Sequence, residues 1–172
     1  MGPCGPAAGQ AERFATAMLE VSTNQVRINI MTLDQAISTV NSQFQYTADP
    51  RSFFTDYWFV MRSQNNVMRG DCDDYSITVL WLLCGGFWQF VWNVLILHRY
   101  RLHLVRTRSG EYHVVTQIGD VWFDNWTCRA VSREQLFAQT GHQYRMWYLS
   151  PIIAWFMLWG YLRYQNFEVK NT

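Results

Sequence analysis

Residues 75–97 contain no charged side chain, and this run limits what the chain can fold into. A stretch of this length is compatible with a membrane span or with burial in the core of a globular protein. Gly85 and Gly86 divide it into a segment of helix length and a segment of strand length. We therefore expect a buried helix followed by a buried strand, with contact to a membrane as the disfavoured alternative.

Length and composition predict one folded domain. The chain has 172 residues, 49% of them hydrophobic and 17% aromatic, which is enough to bury a core without metals or disulfides. A formal charge of +1 without basic clusters gives no reason to expect nucleic-acid binding. We expect a loose segment at 1–9, a domain at 10–145 and an aromatic-rich C-terminal element at 146–172.

The N-terminal sequence lacks the basic start and apolar core of a signal peptide, so a cytoplasmic location is expected unless another export route is used. Four cysteines occur and none forms a C-x-x-C pair, so the usual zinc and redox spacings are missing. We expect Cys84, which lies in an apolar context, to be a buried and unreactive thiol.

A cysteine stands where the buried helix is expected to begin. Residues 69–75 read Arg-Gly-Asp-Cys-Asp-Asp-Tyr, and Asp71 is a good N-cap for a helix that starts at Cys72. Because the N-terminus of a helix carries partial positive charge, it favours the thiolate, which is the nucleophilic form of cysteine. Aspartates near helix starts are common without any function, but they do not explain a cysteine in the first turn of a buried helix.

A histidine and an aspartate on two later strands complete a candidate triad. If residues 119–120 form a two-residue turn, Ile118 pairs with Val121, and His113 and Asp124 become diagonal neighbours on one face of the sheet. Their backbones would then be ~7–8 Å apart, which a carboxylate and an imidazole can bridge. A three-residue loop would instead place His113 and Asp124 on opposite faces of the sheet.

These positions suggest roles for each residue. Cys72 would be the nucleophile, His113 its general base and Asp124 the group that orients His113, with Asn125 on the opposite face. The backbone N–H of Cys72 is the expected oxyanion donor. Candidates for a second donor are Trp58, Gln64, Asn65 and Asn66, whereas no role is assigned to His98, His103 or His142.

Three carboxylates oppose the ionisation of Cys72. Asp71, Asp73 and Asp74 flank the thiol and should disfavour its anion. A bound cation, the protonated form of His113 or Arg69 could offset this effect, and carboxylate ligands of this kind suit Ca²⁺ better than Zn²⁺.

Further elements follow from periodicity and capping signals. The sequence predicts helices at 10–21, 33–44 and 131–139, the second capped by Thr32 and the third by Ser132, and a β-meander of strands at 102–107, 112–118 and 121–126. The aromatic stretch at 146–162 is expected to pack across the core. A docking surface for another protein is the alternative, because large exposed aromatic patches usually mark partners.

The septet resembles the G-D-C-[DE]-D-Y signature of bacterial transglutaminase-like cysteine proteases, a group that includes calcium-dependent LapG-like periplasmic enzymes. Residues outside the septet resemble other family segments, over roughly residues 33–130: Val40-Asn41, Tyr46, Asp49, Asp56-Tyr57-Trp58, His113-Val114-Val115 and Asp124-Asn125. Small stand-alone relatives of this kind also look like products of bacteriophage genomes, which would place the chain in a virion or an infected cell.

The resemblance implies an α+β fold of the papain-like or transglutaminase-like type, with the nucleophile helix packed on an antiparallel sheet. It also implies a Cys72-His113-Asp124 triad, Ca²⁺ held by Asp71 and Asp73 with Asp74 as a third ligand, and hydrolysis of peptide bonds in proteins. An amidase or acyltransferase could use the same triad. A reading from another class is a non-catalytic interaction or virion protein that docks through residues 146–162.

Overall fold

The computed structural model describes residues 31–48 and 57–168, and side chains up to residue 162. The loose segment predicted at 1–9 and the helix predicted at 10–21 lie outside the described residues. Within them the fold is mixed α+β.

The elements follow in this order: α1 (Leu33–Asn41), β1 (Phe44–Tyr46), β2 (Met68–Gly70), α2 (Cys72–Cys84), α3 (Phe87–Phe90) continued by a π-helix (Val91–Ile96), β3 (Tyr100–Arg106), β4 (Tyr112–Ile118), β5 (Val121–Phe123), β6 (Val131–Ser132), α4 (Arg133–Thr140), β7 (Gln143–Trp147) and α5 (Ser150–Glu168).

The main sheet is antiparallel, with five strands in the order β6-β5-β4-β3-β7. Ile118 pairs with Val121 across the two-residue turn, as the sequence predicts. Strands β1 and β2 form a separate parallel pair. Helix α2 packs against β4 and against α1, so the helix that begins at Cys72 lies between α1 and the sheet.

The predicted caps of two helices are confirmed. Thr32 and Ser132 each accept a hydrogen bond from the N–H three residues later, while the glutamine at that position bonds back to the cap. Helix α1 ends at Asn41, earlier than predicted, because Phe44 belongs to β1, where its buried side chain packs 5.1 Å from the ring of Tyr75.

The prediction of a buried strand in the second half of the uncharged run, after Gly86, is wrong. Gly85 ends α2 in the left-handed conformation, and residues 87–96 then form α3 and the π-helix. These residues do not line the sheet, because β7 occupies the place beside β3. Trp88, which is 76% exposed, illustrates how far the segment is from a buried strand.

None of the described helices is by itself long and apolar enough to cross a membrane. Helix α2 and the helical segment at 87–96 reach the required length only together, and they are bent by 116° at the glycine pair.

The C-terminal element adds β7 to the sheet and then forms α5. Ile153 and Phe156 of α5 are buried, and Phe156 lies 5.0 Å from the ring of the fully buried Trp58. One face of α5 therefore packs across the core. Gly160 makes the approach possible, because a Cβ there would lie 2.3 Å from the backbone oxygen of Trp58.

Gly160→Ala tests this packing through the sign of its effect on the free energy of unfolding. Alanine in a helix usually stabilises by about 0.5–1 kcal/mol relative to glycine. Here the clash with Trp58 should instead lower the free energy of unfolding by about 1–3 kcal/mol. Thermal unfolding measures the effect, with Ala154→Gly on the exposed side of α5 as the control for helix propensity alone. A higher melting temperature for Gly160→Ala would contradict the docking of α5.

Candidate active site

Cys72 is the first residue of α2, and two aspartates hold the start of that helix. Asp71 is the N-cap and accepts from the N–H of Asp73 at 3.3 Å. Asp74 accepts from the N–H of Asp71 at 3.4 Å and from that of Phe59 at 2.9 Å. The carboxylate of Asp74 is therefore used to fix the helix start.

The close approach of β2 to this turn depends on a glycine. A Cβ at Gly70 would lie 2.7 Å from the side chain of Asp74 and 2.8 Å from the sulfur of Met61. The glycine of the septet thus lets the chain enter α2 directly from β2.

Asp73 is the exceptional carboxylate of the septet. It is 3% exposed, and its buried Oδ2 has no hydrogen-bond partner in the part of the chain that the structure describes. Burial and the neighbouring charge of Asp71 raise the pKa of Asp73 well above its usual range. Its Oδ1 lies 3.8 Å from Sγ of Cys72, so the thiol is directed at this carboxyl group.

Asp71 and Asp73 are better placed than Asp74 to bind a cation. A ligand oxygen of Asp71, one of Asp73 and the sulfur of Cys72 lie within 4.8 Å of one another. The Oδ2 of Asp73 has no hydrogen-bond partner among the described residues, and either a proton or a cation would satisfy it, because a buried carboxylate needs one or the other. Asp74 instead bonds to backbone N–H groups.

His113 and Asp124 meet in the way that the strand parity predicts. His113 is in the middle of the sheet on β4, and Asp124 follows the last residue of β5. The Nε2 of His113 donates to Oδ2 of Asp124 at 3.0 Å, and both side chains are buried. This bond leaves Nδ1 as the imidazole nitrogen that can take a proton from another group.

Asp124 is held as an anion by a full set of donors. Its Oδ1 accepts from the N–H of Trp126 at 3.1 Å and from the N–H and hydroxyl of Thr127 at 2.7 and 2.8 Å. Burial alone would raise the pKa of Asp124, but hydrogen bonds from His113 and His142 outweigh it and hold the pKa far below its usual range.

His142 is a site residue that the sequence analysis did not find. The sequence assigns it no role, yet its Nε2 lies 3.3 Å from the same Oδ2 of Asp124. Its ring also packs 5.0 Å from those of His113 and Trp126. No local pattern marks it, because it follows α4 and comes to Asp124 only through the tertiary fold.

His113, Asp124 and His142 are close enough to share a metal ion. A histidine that binds a metal normally bonds through its other nitrogen to a second group. The Nδ1 of His142 is instead buried without such a partner among residues 31–48 and 57–168. The chemistry of the set therefore favours a hydrogen-bonded cluster around an aspartate.

The beginning of α2 lies near the His113–Asp124 pair. The charge of Asp124 contributes to the raised pKa of Tyr75, behind burial as the larger cause. The hydroxyl of Tyr75 donates to Asn41 at 2.6 Å, and Asn41 donates to the backbone oxygen of Cys128 at 2.7 Å. Asn41 thus joins α2 to the loop that follows Asp124.

The hydrogen bond between thiol and imidazole is not formed in this conformation. Among the described residues, His113 bonds to Asp124 and not to Cys72, whose sulfur is directed at Asp73. Catalytic hydrogen bonds of this kind are often long without substrate and shorten in the complex.

Other residues singled out from the sequence have structural partners. Trp58 is buried against α5, so its ring belongs to the core. Asn65 and Asn66 form a tight turn with positive φ. His103 bonds to Gln117 at 2.9 Å, and burial lowers the pKa of His103 to about 4.

Comparisons with protein-family models, curated proteins and solved structures found no match to this chain.

Asp73→Asn tests the electrostatics of the septet. Because the raised pKa makes the folded state bind a proton more tightly, the stability from Asp73 is complete below about pH 3.8 and is lost as pH rises through the folded pKa. Asp73→Asn should therefore raise the melting temperature at neutral pH in EGTA and flatten its dependence on pH.

Calcium supplies the second arm of this experiment. If Asp73 is a ligand, Ca²⁺ should raise the melting temperature of the wild type and leave Asp73→Asn unchanged. Glu111→Gln, which removes an acidic group outside the septet, is the control. Equal calcium shifts in the wild type and Asp73→Asn would exclude Asp73 as a ligand.

Proposed function

We propose that this chain is a cysteine protease of the transglutaminase-like type, with Cys72, His113 and Asp124 as its triad. The observation that supports it most is the buried His113–Asp124 hydrogen bond beside the helix that begins with Cys72. A nucleophile at a helix start, with an imidazole oriented by a carboxylate, is the constellation used for acyl transfer. The papain-like arrangement of helix and sheet is part of the same proposal.

The proposed reaction has two steps. His113 accepts the thiol proton on Nδ1, and the thiolate of Cys72 attacks the peptide carbonyl. The C–N bond then breaks as His113 donates that proton to the leaving nitrogen, which leaves a thioester on Cys72. Water, deprotonated by His113, attacks the thioester, so the carboxylic acid is released and the thiol regenerated.

Asp124 would keep His113 in the tautomer that has its proton on Nε2, and would stabilise the imidazolium. The backbone N–H of Cys72 would stabilise the oxyanion. Ca²⁺ held by Asp71 and Asp73 would supply positive charge beside the thiol, which offsets the carboxylates that disfavour its ionisation.

Alkylation tests the activated thiol. Iodoacetamide should label Cys72 much faster than Cys84, because burial raises the pKa of Cys84 to about 11 and both residues are free thiols. Loss of the base in His113→Ala should slow the labelling of Cys72 roughly 100-fold. Peptide mass spectrometry measures both rates in one sample.

His98→Ala, on a histidine bonded to Ser150 outside the triad, is the matched control. A peptide library followed by mass spectrometry should show new N-termini with the wild type and none with Cys72→Ala. Equal labelling of Cys72 and Cys84, or cleavage that survives Cys72→Ala, would exclude the proposed mechanism.

A second candidate function is docking to another protein, and one surface favours it. The π-helix, which continues α3, packs beside α5. These helices carry large apolar side chains that are at least 41% exposed. This α3–α5 surface comprises Phe87, Trp88, Trp92, Ile96, Trp155, Leu158, Trp159 and Tyr161. Exposed patches of this kind usually mark interaction sites.

Photo-cross-linking tests the docking function. A benzophenone amino acid in place of Trp155 should cross-link one discrete protein in the native host, and the same probe at the exposed Tyr112 should not. If docking is the function, the cross-link should persist in a Cys72→Ala chain. Identical cross-links from both positions would contradict docking through the α3–α5 surface.

A further inference from the structure

A cleft of about 680 Å³ borders the proposed catalytic pair. Its lining includes Arg108, Trp126, Thr127 and Arg129, and its other lining residues are polar and uncharged. The cleft is therefore basic, although the chain as a whole is nearly neutral.

Two lining residues connect the cleft to the triad. The ring of Trp126 lies 5.4 Å from that of His113. The hydroxyl of Thr127 donates to Oδ1 of Asp124 at 2.8 Å. A molecule in the cleft would thus contact the residues that surround the His113–Asp124 pair.

The two arginines have no counter-charge among the described residues. Both are exposed, and neither forms an ion pair with any residue in the described part of the chain. Arg108 also lies against the backbone at Gly141, because a Cβ there would be 1.9 Å from its Nε. The guanidinium groups can therefore bind an external anion without first breaking an internal salt bridge.

We propose that this cleft binds a carboxylate on the leaving half of the peptide substrate, an inference that rests on the proposed protease function. His113 must face the leaving nitrogen to protonate it, so the residues C-terminal to the cleaved bond lie on the His113 side of Cys72. Trp126 packs against the ring of His113 and also lines the cleft, so the cleft lies beside the residue that would protonate the leaving nitrogen. The carboxylate is an Asp or Glu side chain, or the C-terminus of the substrate.

Peptide binding to the Cys72→Ala chain tests the proposal without cleavage. The probes are an alanine hexapeptide with one central glutamate and blocked ends, its glutamine counterpart, and an all-alanine hexapeptide with a free C-terminal carboxylate. The indole N–H resonance of Trp126, assigned with Trp126→Phe, reports binding. The glutamate peptide should bind about tenfold more tightly than the glutamine peptide at low ionic strength.

Charge variants locate the binding. Arg108→Gln combined with Arg129→Gln should remove the preference for glutamate, whereas Arg99→Gln, beyond the opposite end of β3, should preserve it. Tight binding of only the free-carboxylate peptide would identify a chain terminus as the ligand and support the proposal. Equal affinity for all three peptides would overturn it.

The two proposals fail separately. If iodoacetamide labels Cys72 much faster than Cys84 while the three peptides bind equally, only the cleft proposal is overturned. Selective glutamate binding together with slow labelling of Cys72 would contradict the protease and support a carboxylate-binding cleft without catalysis.

Discussion

The rest of the site depends on the hydrogen bonds that the buried carboxylate of Asp124 accepts. An unpaired charge in a protein interior is costly, and this one accepts hydrogen bonds from His113, His142, Trp126 and Thr127. These bonds connect β4, the loop after β5 and the end of α4. Removing one partner of such a buried charge typically costs about 3–5 kcal/mol, so the geometry of the site and the stability of the fold depend on the same group.

The start of α2 shows a conflict between two electrostatic effects. The helix dipole favours a thiolate at Cys72, and the carboxylates beside it oppose one. The aspartates differ in their contacts, since Asp71 and Asp74 cap the helix while Asp73 is buried with one oxygen that has no partner in the described part of the chain. A proton or a cation on Asp73 relieves the conflict, which makes the charge state of this residue the point at which solution conditions can affect the thiol.

Local signals in the sequence predict local features of the fold. Capping residues identify the starts of α1 and α4, and the glycine turn at 119–120 sets the register that brings His113 to Asp124. Composition cannot decide the conformation of residues 87–96, because a short apolar run suits a strand or a helix equally. The short strands β1, β2 and β7 depend on distant partners. His142 was missed for the same reason, since its contact with Asp124 arises only when α4 folds back against the sheet.

The central claim is that Cys72 and His113 act as a pair, and an ultraviolet titration of the thiolate tests it most directly. We expect the difference in ultraviolet absorbance between the wild type and Cys72→Ser to show that the thiolate is already present at neutral pH. In His113→Ala the same difference should appear only near the ordinary thiol value of about pH 8.5, or above it. A difference spectrum that appears near pH 8.5 in the wild type and is unchanged by His113→Ala would contradict the account.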